Sequence, residues 1–407
     1  MRRFLAQVLL ILCLALVALE LITRLVWWNR SAVTLFSRRL ELLPYPVVTA
    51  RQKQILTDVS KGAYRYTHFD PVLGWSITPN VSGEWDGSVY TSNSIGIRSL
   101  REYGPRAPAG VTRIAAFGPS FTHCDEVNDA ETWQVRMEQA RSDLEVMNWG
   151  VAGYGTDQAL LRYQTRGAAY QPDIVLIGFE DHNWTRNINR YRPFEYRDTE
   201  IPLTKPVYVI AHEKLMLLPN PFETLDEMRQ AVSGAPDDFL GAVCPWDGLC
   251  DERLYRWRSL DRSAAFRFLR TLALQIETDP GEPPINREYP QINAYQTTRA
   301  LLEMFAAEVN RNHAIPIVVL FPLEATLVSS ETPMYETVLI PALERMRIQA
   351  IDLRDAFVEA RQSKQLAVEE FFARQGHPNT LGNEVVADAL LRHLCNRGLV
   401  TDCRASQ

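Results

Sequence analysis

The sequence predicts an α/β fold of three layers, a mostly parallel sheet between two layers of helices, preceded by one N-terminal transmembrane helix. Three features predict it: short apolar runs without a polar alternate face, helical apolar spacing between those runs, and an apolar N-terminal segment. A strand that is apolar on both faces must be covered on both, as in a parallel sheet packed between helices.

The strand-like runs come in order. Thr112 to Gly118 is the first and ends in a glycine turn. Leu144 to Trp149 is the second, Ile174 to Gly178 the third, Ile315 to Phe321 the fourth and Met346 to Leu353 the fifth. Between them, Leu160, Leu161 and Ala168 give Gln158 to Ala169 a helical face. Leu301, Leu302, Phe305 and Val309 mark a helix leading into the fourth strand, and Val385, Val386, Ala389 and Leu390 mark a closing helix. Residues 66–110, rich in Gly, Pro, Asn and Ser, read as short strands and turns. Residues 192–290 break the rhythm and read as an insertion. The expected division is an anchor at 1–28, a juxtamembrane segment at 29–65, one domain at 66–394 and a tail at 395–407.

From Phe4 to Leu19 every residue except Gln7 is apolar, and the run continues with interruptions to Trp28. Sixteen clean residues fall short of the roughly 20 that a span needs, but the extension to Trp28 supplies the length, with tryptophans at headgroup level. Glu20 and Arg24 lie four apart and would face each other on a helix. Arg2 and Arg3 before an apolar core also fit a cleaved signal peptide, yet no small-x-small cleavage site follows, so a retained anchor is expected. Flanking charge leaves the orientation open, because Arg30, Arg38 and Arg39 oppose Arg2 and Arg3.

The cysteines bear on the compartment. Cys244 and Cys250 bracket a short loop, and Cys395 and Cys403 bracket another. Two close pairs read as small-loop disulfides, Cys244–Cys250 and Cys395–Cys403, which persist in an oxidising compartment. Neither pair has zinc-type partners. The body is therefore expected outside the cytoplasm, periplasmic in a bacterium. With 43 basic against 49 acidic side chains, a net charge of −6 and a pI near 5.8, no basic footprint exists and nucleic acid is excluded as a partner.

In a parallel α/β sheet ligands bind beyond the carboxyl ends of the strands. The residues there are informative. Gly118-Pro119-Ser120 follows the first run, Gly150-Val151-Ala152-Gly153 the second, and Glu180-Asp181-His182-Asn183 the third. Gly376-His377-Pro378 precedes the closing helix. This is a kit for acyl transfer through a serine: Ser120 as nucleophile, His377 as base, and the amides of Ser120, Gly153 and Asn183 around an oxyanion. A glycine at 153 suits close approach of backbone to substrate.

The order, spacing and flanks of these residues resemble the SGNH/GDSL hydrolase family, in particular its membrane-anchored bacterial members. The resemblance covers most of 66–394, including Leu73-Gly74-Trp75, Asn93 to Arg98 and Arg186 to Asn189. It implies a flavodoxin-like sheet and a serine ester hydrolase without cofactor, with Ser120, Gly153, Asn183 and His377 as its block-one, -two, -three and -five residues. Its implied partner is a small-molecule or glycan ester, for example O-acyl groups of a cell-surface glycan. Two positions depart from the family. Pro119 stands where an aspartate usually precedes the serine. Arg374 stands where an aspartate usually orients the histidine, and losing that carboxylate costs a serine protease roughly ten-thousandfold in rate. A carboxylate from elsewhere, such as Asp355 or Glu370, would restore the relay. The alternatives are a degenerate binding or assembly protein, and an O-acyl transferase using the same site.

The run His123-Cys124-Asp125-Glu126 invites a metal reading. Adjacent residues on one chain rarely all face one ion, so these are expected to line the rim beside Ser120, and no metal is assigned.

Overall fold

The computed structural model describes residues 1–400 except 29, 31, 36–37, 63–65, 86, 278–293 and 330–331. Five parallel strands form its central sheet: β1 (Thr112–Phe117), β2 (Leu144–Asn148), β3 (Ile174–Phe179), β4 (Ile315–Leu320) and β5 (Gln349–Asp352). Their order across the sheet is β5-β4-β3-β1-β2, with Phe117 opposite Ile177 and Ala116 opposite Asn148. This is the flavodoxin-like order. The four strands expected at 112, 144, 174 and 315 start at those residues. The fifth starts later than Met346, because Met346 ends a helix and Arg347 turns left-handed at φ 57° before the strand begins.

The helices that matter to the site are α1 (Arg2–Val26), α2 (Ser120–His123), α3 (Trp133–Ala140), α4 (Thr156–Thr165), α5 (Asn183–Arg186), α6 (Ala264–Glu277), α7 (Ala294–Arg311), α8 (Arg354–Lys364) and α9 (Thr380–Asn396). The two-residue period of a strand sends Ala115, Phe117, Ile177 and Val318 to one face, where they meet Leu160 of α4 and Leu302 and Phe305 of α7. Ile114, Ala116, Leu176 and Val319 go to the other, against Met137 of α3, Phe357 of α8 and Val386 and Leu390 of α9. Both faces are buried, which is why the strands read as continuous apolar runs. Each large side chain so covered contributes about 1.5–3 kcal/mol.

Residues 67–91 form two antiparallel hairpins, Thr67–Asp70 with Gly74–Ile77 and Ser82–Trp85 with Ser88–Thr91. Residues 207–218 form a third hairpin, and helices Leu225–Ser233 and Pro236–Val243 follow. Phe222, Phe239 and Leu240 from this stretch share a core with Trp75, Tyr154 and Tyr191. Cys244 and Cys250 form a disulfide, with Cα atoms 5.3 Å apart. Cys403, the expected partner of Cys395, lies outside the described residues. α1 is long and apolar enough to cross a membrane, and Glu20 and Arg24 pair on it at 2.6 Å.

One close approach ties the sheet to α2, the helix that Ser120 opens. Gly150, just past β2, lies against the backbone of α2: a Cβ there would sit 2.3 Å from the His123 nitrogen and 2.6 Å from the Thr122 carbonyl carbon. Neither backbone atom can rotate aside. Gly150→Ala is therefore expected to destabilise the fold by about 1–3 kcal/mol or more, read as a lowered midpoint in urea.

Candidate active site

Ser120, His377 and Glu126 form one hydrogen-bonded chain. Ser120 opens α2 directly after the turn that leaves β1, and is 7% exposed. Pro119 is the residue before the helix and accepts the amides of Thr122 and His123 on its carbonyl; the N–H it lacks is not that of Ser120. The Ser120 N–H, at the first helical position, has no acceptor inside α2. His377 sits in the turn before α9, whose N-terminus is capped by Asn379 Oδ1 accepting from Leu381 and Gly382. Phe121 packs edge-on to the imidazole at 5.2 Å.

His377 Nε2 lies 2.8 Å from Ser120 Oγ, and His377 Nδ1 lies 2.8 Å from Glu126 Oε2. A carboxylate on Nδ1 assigns the ring proton to that nitrogen and leaves Nε2 as the acceptor for the serine hydroxyl. The Glu126 side chain is only 5% exposed and also accepts from the Gln375 amide at 3.0 and 3.1 Å. The carboxylate that reaches His377 thus comes from the segment just after Ser120. Neither Asp355 nor Glu370 supplies it; Glu370 caps the amide of Ala367 instead. Sequence reasoning placed Glu126 on the rim but assigned it no role. The available signal was a carboxylate a few residues after Ser120, where a reversal of the chain could aim it back.

That reversal is visible in the backbone. Cys124 and Glu126 both adopt left-handed φ values, 67° and 68°, a conformation that side chains other than glycine occupy only under constraint. Arg98 supplies the constraint. Its buried guanidinium donates to the carbonyls of His123, Cys124 and Val127 and pairs with Asp129 at 2.9 Å, while Tyr90 Oη accepts the Glu126 N–H at 2.7 Å.

The four residues His123 to Glu126 diverge. His123 Nδ1 meets Asp125 Oδ1 at 2.5 Å and its Nε2 meets Tyr66 Oη at 2.7 Å, and burial pushes its pKa down. Cys124 lies in the core, where burial raises its thiol to about 12. Glu126 goes to His377. Among the described residues no group of three or more His, Cys, Asp or Glu is placed to hold a metal ion.

Gly153, in the loop after β2, has φ 77° and an N–H with no acceptor among the described residues. The space beside it is filled by protein: a Cβ there would meet the Arg192 guanidinium at 3.2 Å. Asn183 is fully buried at the start of α5. Its Oδ1 accepts from the Glu180 amide at 3.2 Å and its Nδ2 donates to Thr156 Oγ1 at 3.3 Å, so its amide braces the turn after β3.

Around that turn lies a buried charge cluster. Glu180 pairs with Arg186 and His182, and Glu195 pairs with Arg186 and Arg192. Burial by itself would raise the Glu180 carboxyl, but the Arg186 guanidinium, with His182, outweighs it and holds the pKa at about 2. Burial lowers Arg192 to about 10.

No family model and no curated protein matches the chain. Among solved structures it is similar to an alpha/beta hydrolase enzyme from the metagenome of Lake Arreo, Spain, with a TM-score of 0.38, 12% identity, and coverage of 72% of this chain and 99% of that one. An acetylxylan esterase from Geobacillus stearothermophilus has a TM-score of 0.37, 14% identity, and coverage of 70% and 96%. A member of the lipolytic protein G-D-S-L family from Veillonella parvula DSM 2008 has a TM-score of 0.34, 12% identity, and coverage of 69% and 97%. Likeness at this level carries no chemistry, which is read from the geometry instead.

Two outcomes follow from these contacts. Arg98→Lys keeps the charge but cannot reach three carbonyls and a carboxylate at once, so it is expected to cost about 3 kcal/mol in urea unfolding. For Glu180, whose folded pKa is depressed, the stabilisation is present above the unfolded value of about 4.5 and is lost as pH falls towards 2. The stability gap between wild type and Glu180→Gln is therefore expected to be full at about pH 6, to shrink below about pH 4.5 and to close only below about pH 2.

Proposed function

We propose that the chain is a membrane-anchored serine hydrolase of ester bonds, of SGNH/GDSL type, with its body outside the cytoplasm. The Ser120–His377–Glu126 chain carries this reading. In the proposed mechanism His377 Nε2 takes the hydroxyl proton as Ser120 Oγ attacks the ester carbonyl. Glu126 stabilises the imidazolium that forms and keeps the ring in its tautomer. The N–H groups of Ser120 and Gly153 receive the developing oxyanion, with the Asn183 amide as support for the same rim. The imidazolium then protonates the leaving alcohol, and water, activated by His377, releases the acyl group from Ser120. The proton that His377 takes from water passes to Ser120 Oγ as the carboxylic acid leaves, so serine and imidazole regain their starting protonation states and no cofactor takes part.

The Glu126 carboxylate favours an enzyme over a degenerate binding protein, because it supplies the support that Arg374 at the family's aspartate position would deny. The proposed substrate is an O-acyl ester of a cell-surface glycan, in keeping with the resemblance to membrane-anchored bacterial members of that family. The Cys244–Cys250 disulfide supports an extracytoplasmic body.

The test uses a serine-directed phosphonate and a generic aryl acetate. A single adduct on Ser120 is expected by mass spectrometry. Ser120→Ala is expected to abolish turnover above background, and Glu126→Gln to lower kcat by roughly 100- to 10,000-fold with the fold intact. Wild-type turnover that Ser120→Ala does not change would remove the enzyme reading, and full activity in Glu126→Gln would remove the relay.

A further inference from the structure

We infer that the segment Trp257–Arg262, with the start of α6, forms a second membrane contact in the headgroup layer of the bilayer that α1 crosses. This rests on the reading of α1 as a retained anchor. The observation behind it is that the last turns of α1 are built into the body. Glu20 Oε2 accepts from the Ser263 hydroxyl at 2.7 Å and from the Ala265 amide at 2.8 Å, which caps the N-terminus of α6 with a carboxylate. Arg24 Nη2 donates to the Arg262 carbonyl at 3.2 Å, and Trp27 and Phe268 pack ring to ring at 5.7 Å.

Depth follows from helix geometry. From Arg3 to Glu20 the helix rises roughly 26 Å, and to Arg24 roughly 32 Å. A hydrocarbon layer of about 30 Å therefore ends in the turn that holds Ser263 and the Arg262 carbonyl. α6 runs alongside α1 in the same direction, since Glu20 meets Ala265 and Trp27 meets Phe268. The residues that precede α6 accordingly lie at the bilayer surface.

Their exposed chemistry suits that layer. Trp257 is 57% exposed and Leu260 63% exposed, Arg258 and Arg262 are exposed between and beside them, and Trp28 at the end of α1 is 71% exposed. Indole rings settle at the headgroup level, and guanidinium groups are drawn to anionic lipid. The patch is continuous with α1, so the occupant is the bilayer itself.

The full-length chain is reconstituted in phosphatidylcholine–phosphatidylglycerol vesicles with a nitroxide on Cys13, its one exposed free cysteine among the described residues. Further samples carry the label at Leu260→Cys, and at exposed Leu100→Cys and Val358→Cys on the α/β body, each with Cys13→Ser. Power saturation then compares oxygen with a water-soluble nickel chelate. The label at 260 is expected to show an oxygen-to-nickel ratio several-fold above that at 100 and 358, with position 13 highest. A ratio at 260 equal to the body sites, while position 13 is lipid-embedded, overturns the second contact and leaves the anchor standing. An aqueous label at 13 overturns both.

Discussion

The arrangement around Ser120 depends on the buried guanidinium of Arg98. It gathers three carbonyls of residues 123–127 and the carboxylate of Asp129, and so holds two left-handed residues that the chain would otherwise avoid. With Tyr90, which accepts the Glu126 N–H, that clamp turns Glu126 back towards His377. Removing the arginine would also strand a buried carboxylate and several buried carbonyls, each costly to leave unmet. The clamp originates in the small β-rich segment before the sheet, so this segment positions the site although it lies outside the three layers.

The sheet order supplies the second condition. With β1 flanked by β2 and β3, the chain leaves the sheet in opposite directions on either side of β1, and a crevice opens at the carboxyl ends there. Ser120 follows β1, Gly153 follows β2 and Asn183 follows β3, so the rim collects them from three loops. His377 arrives from the turn before α9, which α3 holds in register: Asn383 Oδ1 accepts from the Trp133 amide at 3.3 Å, and Thr380 donates to Glu131 at 3.0 Å.

A buried charge cluster packs beside Gly153. Arg192 lies flat on the glycine, Glu195 bridges Arg192 to Arg186, and Asp247 accepts the amides of Arg190 and Tyr191 from inside the Cys244–Cys250 loop. Burial raises the Asp247 carboxyl to about 6, and the three backbone amides it accepts restrain the rise. The disulfide loop therefore reaches the rim through the backbone of 189–191. Glycine at 153 suits its positive φ, and the Arg192 guanidinium packs against it.

The sequence by itself determined the layers and marked Ser120 and His377, which lie 2.8 Å apart at the rim. Strands buried on both faces must be apolar throughout, and a loop that carries chemistry at a strand end must use serine, glycine or histidine there; both constraints act locally and leave a local pattern. The turn of α1 that pairs Glu20 with Arg24 was legible for the same reason. Only the tertiary structure decided which carboxylate serves His377, because Glu126 and His377 are distant in sequence and become neighbours through a backbone reversal whose clamp, Arg98, lies on yet another segment. It also decided that the Asn183 amide braces Thr156 and Glu180, and that the N-terminal apolar helix α1 docks on α6. Those pairings depend on long-range contacts that no spacing along one stretch of chain encodes.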